Sequence, residues 1–148
     1  MNVLDLPPTT ASVPVARRFV RARLEDGAAE GVADVDTATL LVSEVVTNAV
    51  LHARSAVTLT VDVADDVVRI TVRDGSPVRP RVHPFAPTSA TGRGLFLVDR
   101  LAKRWGVDAD PVAGGKVVWF ELGEASPALW GAVSEHPLSG AAQPGRFG

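Results

Sequence analysis

Cysteine is missing from all 148 residues, which excludes a disulfide framework and any thiolate metal site and permits a reducing compartment. No sign of charge dominates either. Fifteen Lys+Arg stand against 17 Asp+Glu, a formal net charge of −2, and acids interleave with the arginines, so electrostatics argue against a nucleic-acid partner. No apolar run approaches the roughly 18 residues of a membrane span, and the opening "MNVLDLPPTTASVP" has neither the basic start nor the apolar core of a secretory signal. A cytoplasmic location without a membrane partner is therefore expected. Internal repeats are absent. What is present, 46% hydrophobic and 22% charged residues, is the composition of one globular domain with a real core.

Residues 1–11 read as a flexible arm. Ser12 with Pro14 makes a helix start before "VARRFVRARLEDGA", where Ala16, Phe19, Val20 and Leu24 fall at helical spacing. "GVADV" breaks that helix at Gly31, and Asp34 or Asp36 can cap a longer helix running to about Ala53. "VTLTVDV" and "VVRITVR" alternate apolar with polar residues around "ADD". They read as an antiparallel hairpin with Val57, Leu59, Val61, Val63, Val68, Ile70 and Val72 facing inward. "DGSPVRPRVHPFAPTSATGRG" then carries Pro77, Pro80, Pro84 and Pro87 without periodicity; so long a structureless stretch is either a functional lid or disorder. "LFLVDRLAKRW" reads as a helix with Leu95, Val98, Leu101 and Ala102 inside, and "GVDAD" with "KVVWFEL" as a second hairpin around "PVAGG". Residues 123–148, rich in Gly, Pro and Ala, read as a tail. This order predicts an α+β domain over residues 12–122, a two-layer sandwich with helices on one face of a mostly antiparallel sheet.

Within the second helix, "SEVVTNAVLHA" places Glu44, Asn48 and His52 four residues apart. At 100° per residue, with Leu41 at zero, they fall at about −60°, −20° and +20°, one line along the axis. Leu40 and Leu51 flank that line on one side and Ala38, Val42, Val45 and Ala49 on the other, while Asp36, Thr39, Ser43, Thr47 and Arg54 mark the solvent side. One polar residue so placed is most simply a paired group at the edge of a helix. Three in line imply a polar-walled cavity, because burying an uncompensated charge is costly.

Two further motifs follow. "TGRGL", Thr91 to Leu95, opens a helix with glycines that let backbone N–H groups approach an anion, where the helix dipole favours negative charge. "VRDGSP" ends a strand with Asp74 and Gly75. Each alone has a plain reading, a tight start to a helix capped by Thr91 and an Asp-Gly turn. Their order is more telling. A helix with E-x-x-x-N-A, a strand ending in D-G, a loop and a G-x-G helix start together resemble the Bergerat-fold, or GHKL, ATPases. "SEVVTNAVLHA", "VRDGSP", "TGRGLFLVDRLAKRWGV" and "GGKVVWFEL" look most like the branch of bacterial anti-sigma-factor serine kinases.

That resemblance implies ATP and Mg²⁺ as ligands. Asn48 would hold Mg²⁺ through its side-chain oxygen, a hard donor for a hard cation, and Glu44, one turn earlier, would accept the proton of an attacking hydroxyl. His52 would orient a phosphate or close the pocket. Asp74 would accept from the adenine amino group, and Gly75 would let the backbone pass close to the base. Thr91, Gly92, Arg93, Gly94 and Leu95 would form the phosphate cradle, with Arg93 adding a charge-assisted contact, and the proline-rich stretch would be a lid. Two departures from the wider superfamily stand out. Pro77 replaces a common further glycine, and "GGKVVWF" has valines where a threonine often lies near the base, so that Thr71 or Ser76 would have to substitute. The implied function is an anti-sigma regulatory kinase, expected to be a homodimer, that binds a sigma factor and phosphorylates a serine of an anti-anti-sigma antagonist. The alternative is a nucleotide-sensing module that sequesters a partner without phosphotransfer. Trp105, Trp119 and Trp130 read as packing or tail residues.

Overall fold

A computed structural model describes residues 2–78, 90–112 and 114–123. The chain runs β1 (Val3–Leu6), α1 (Ser12–Leu24), α2 (Val35–Ala53), β2 (Val57–Ala64), β3 (Val67–Asp74), α3 (Ala90–Leu101), β4 (Arg104–Ala109) and β5 (Lys116–Gly123), with a 3₁₀ turn at Gly27–Ala29. The strands form one antiparallel sheet in the order β1-β2-β3-β5-β4. The helices cover one of its faces, which is the α+β sandwich expected. No helix among the described residues is long and apolar enough to cross a membrane.

Alternation decides which face each residue takes. Leu59, Val61, Val68, Ile70, Val72, Val107, Val118, Phe120 and Leu122 are buried and join one core with Ala16, Val20, Leu24, Leu41, Val42, Val45, Val46, Leu95, Val98 and Leu101 from the helices. Truncating one of the larger of these to alanine costs about 2–5 kcal/mol. The opposite face carries the intervening polar positions. There Glu121 accepts from Arg69 Nε at 3.0 Å and from Arg104 Nε at 2.9 Å, and Arg69 lies 4.0 Å over the Trp119 ring. Burial by itself would raise the carboxyl of Glu121, but the hydrogen bonds and charges of Arg104 and Arg69 outweigh it and hold the group below its ordinary value of 4.5.

Several local expectations are corrected. The supposed arm over 1–11 contains β1, which pairs Val3 with Thr60 and Leu6 with Val57; four residues are too few for alternation to declare a strand, and the sheet supplies the pairing. The helix start expected at Ser12 is observed, with the Ser12 hydroxyl donating to the Pro7 carbonyl at 2.6 Å from inside the first turn. The helix stops at Leu24, well before Gly31, where the chain turns through Gly27 at φ +40°. Val63 is 37% exposed, in the exposed last part of β2 next to the hairpin turn. Thr39, expected in solvent, is buried and donates to the Val35 carbonyl at 3.0 Å. Gly123 belongs to β5, opposite Val67, whereas the remainder of the expected tail, with Trp130, lies outside the described residues. Asp34 caps α2 as expected, accepting from Thr37 N at 2.9 Å and Thr37 Oγ1 at 2.7 Å.

Candidate functional site

Strand pairing brings the three motifs to one end of the molecule. β3 runs toward Asp74, which pairs with Lys116 at the start of β5. β4 closes at Ala109 opposite that same Lys116 and opens at Arg104, opposite Glu121. Because α3 finishes at Leu101, just ahead of Arg104, its roughly 18 Å of helix leads back along α2 toward the Asp74 end. There its first turn contains Thr91, Gly92, Arg93 and Gly94, and Leu95 is buried beneath. α2 arrives from the opposite direction. Arg54, left-handed at φ 55° and ψ 30°, ends it, and Ser55 and Ala56 lead directly into β2, whose Thr58 pairs with Arg73. The C-terminal half of α2, the end of β3 and the start of α3 therefore meet.

Asn48 lies inside this junction, 9% exposed with its side-chain oxygen below the surface. Glu44, one turn earlier, is half-buried. His52 departs from the expected pattern: it is exposed, as is its neighbour Leu51 at 46%, in the last turn of α2. The polar stripe thus enters the interior over two residues, and His52 stays at the rim. Thr47 and Ser43 are half-buried, their hydroxyls bonded to the Ser43 and Thr39 carbonyls at 2.6 and 2.7 Å.

Asp74 is buried, and its surroundings are built in detail. Its Oδ1 accepts from Lys116 Nζ at 3.0 Å and from the Ser76 amide at 2.8 Å, while Lys116 Nζ also reaches the Ser76 carbonyl at 3.3 Å. The Gly75 amide donates to Ser55 Oγ at 2.8 Å, which ties the end of α2 to the end of β3. Neither Ser55 nor Lys116 carries a role legible from sequence, although Lys116 lies in "GGKVVWFEL", since a hydroxyl before a strand and a lysine starting one are commonplace; only the register makes them neighbours of Asp74. Of the residues offered as substitutes near the base, Ser76 is at the site, whereas Thr71 pairs with Thr60 and Trp119 on the far face of the sheet. An odd number of residues from Asp74 forces that outcome.

The β4–β5 turn closes the site from the side. A Cβ on Gly115 would lie 1.9 Å from the Asp74 carbonyl oxygen and 2.7 Å from the Gly75 Cα, so no other residue fits there. Asp110 braces this turn, accepting from Val112 N at 3.1 Å and pairing with Arg73 Nε at 3.2 Å. The proline-rich stretch expected as a lid falls largely on residues 79–89, outside the described residues.

These groups fit a purine nucleotide with a magnesium ion. Asp74 offers a carboxylate beside Gly75, whose missing side chain makes room for Ser55, since a Cβ there would lie 2.8 Å from Ser55 Oγ, and Asn48 offers a hard oxygen one turn from a carboxylate. No cluster of three or more metal-ligating His, Asp or Glu occurs among the described residues, and a cation that keeps several waters and binds phosphates needs none. A family model described as a histidine kinase-like ATPase domain matches residues 6–122, which takes in every site residue named above. No curated protein matches the chain.

Proposed function

From the chain's membership of the histidine kinase-like ATPase domain family, which the match over residues 6–122 establishes, we propose that it is an ATP- and Mg²⁺-dependent protein serine kinase acting as an anti-sigma regulatory factor. It would bind a sigma factor as a homodimer and phosphorylate a serine of an anti-anti-sigma antagonist in the cytoplasm. The observation that carries the reading is the meeting of α2, β3 and α3 at one end of the sheet, with Glu44 and Asn48 one turn apart on the same helix face.

In this reading Asp74 holds the adenine end by accepting from its amino group. The first turn of α3, where the amides of Thr91 and Gly92 are not used by the helix's own ladder, presents those N–H groups and the positive end of the helix dipole to the phosphates. Asn48 holds the metal through its side-chain oxygen. When bound, that ion neutralises charge developing on the transferred phosphoryl group. Glu44 takes the proton from the attacking serine hydroxyl, and its place one helical turn from Asn48 keeps base and metal ligand on one side of the phosphate. The added phosphate brings about −1.5 to −2 charges to the antagonist's binding face, enough to oppose docking by repulsion and desolvation.

The test uses transfer of labelled γ-phosphate to an antagonist of this class. Glu44→Gln should bind ATP within a few-fold of the wild type and transfer phosphate about 10² to 10⁴ times more slowly. Equal transfer rates would remove Glu44 as the base. The second reading, a nucleotide-sensing module without phosphotransfer, draws on Pro77 and the valines of "GGKVVWF"; nucleotide binding with no transfer by the wild type would favour it.

A further inference from the structure

Lys116 falls within the "GGKVVWFEL" stretch but has no role assigned toward a nucleotide, yet its ammonium is buried against the carboxylate expected to read the base. Its side chain is 8% exposed and that of Asp74 1%. Both hydrogen bonds that Asp74 accepts among the described residues, from Lys116 Nζ and from the Ser76 amide, fall on Oδ1. A carboxylate offers roughly four acceptor positions over its two oxygens, so this pairing commits one oxygen and leaves Oδ2 for another donor.

Resting on the nucleotide-site reading above, we infer that Lys116 is the positioning residue that sets nucleobase selectivity: it occupies one oxygen of Asp74, so that the other accepts from a single amino group. The purines differ in what they ask of a carboxylate. Adenine presents one exocyclic amino donor beside an acceptor nitrogen. Guanine presents two adjacent donors, the ring N–H and the 2-amino group, which pair best with both oxygens of one carboxylate in parallel. With Oδ1 committed, the two-oxygen arrangement is closed and guanine leaves a donor unpaired, the kind of penalty from which selectivity is built. Lys116 also fixes the Ser76 carbonyl at 3.3 Å, and Gly115 just before it abuts the backbone of Asp74 and Gly75. The carboxylate therefore has little freedom to swing and expose both oxygens.

Two measurements test this, each by competition against a fluorescent ATP analogue. In the wild type, GTP and ITP, which differ only in the 2-amino group, should bind within about threefold of each other and both more weakly than ATP, because the extra donor finds no oxygen. GTP binding tenfold tighter than ITP would overturn the inference. In Lys116→Met, which leaves Oδ1 with the Ser76 amide alone and so opens one of its acceptor positions, the preference for ATP over GTP should narrow by about tenfold or more, the scale of one hydrogen bond to a charged group. A folded Lys116→Met chain with the wild-type ATP/GTP ratio would also overturn it, since a lysine that merely holds the fold weakens both nucleotides in proportion. Should this variant melt in the absence of nucleotide at the assay temperature, the wild-type GTP/ITP comparison decides alone. A wild-type chain that binds ATP without the expected pattern sinks only this inference, whereas one that binds no nucleotide sinks the proposed function with it.

Discussion

Asn48 and Gly115 act at the site in opposite ways, one through what its side chain offers and the other through having none. Replacing Asn48 by alanine removes the hard oxygen expected to hold Mg²⁺. Calorimetry should show Mg²⁺-dependent ATP affinity falling by more than about a hundredfold, beyond what losing an outer partner of a metal site brings; unchanged affinity would take the metal away from this residue. Gly115→Ala would place a methyl group 1.9 Å from the Asp74 carbonyl oxygen. A backbone atom held in a sheet cannot yield as a flexible side chain would. The cost expected in urea denaturation is therefore about 3 kcal/mol or more, and a change under 1 kcal/mol would mean that the β4–β5 turn is free to move. Glu44 and Asn48 could be picked out from sequence because helical periodicity is local. Gly115, Ser55 and Lys116 could not, since their importance lies in contacts with residues 20 to 42 positions away.

At the scale of elements, three strands are clamped through one carboxylate. Glu121 on β5 accepts from Arg69 on β3 and Arg104 next door on β4. Folding lowers its pKa from 4.5, so the folded state binds this proton less readily than the unfolded chain. Its stabilising contribution is complete above that value and is lost as the pH falls through the lower, folded one. Melting temperature should thus decline once the pH drops below about 4.5, and Glu121→Gln should be less stable at neutral pH with a shallower acid decline; parallel pH profiles for the two proteins would refute the clamp. Element boundaries were legible where a residue acts on its own neighbours, as with the Asp34 cap of α2. They were not where an element exists through its partner. β1 has four residues and is a strand because β2 offers it an edge, and α1 ends at Leu24 because the connection to α2 must turn there.

For the molecule as a whole, only the folded state brings the candidate site residues of α2, β3 and α3 together. Mg²⁺-ATP at about 100 times its dissociation constant should stabilise the chain by about 2.7 kcal/mol, a rise of several degrees in melting temperature for a domain of this size. No rise with ATP, ADP or GTP, with or without Mg²⁺, would count against the nucleotide site itself. The sequence by itself determined the sandwich of helices on an antiparallel sheet, the face that the β2–β3 hairpin buries along most of its length, and the order of the three motifs, because periodicity, caps and turns are short-range properties. Only the tertiary structure decided that His52 stays at the rim while Asn48 goes inside, and that Lys116 and the Ser76 amide share one oxygen of the Asp74 carboxylate. Those outcomes depend on strand register and on which turns of a helix its neighbours cover, both set by the packed core rather than by any residue's own preferences.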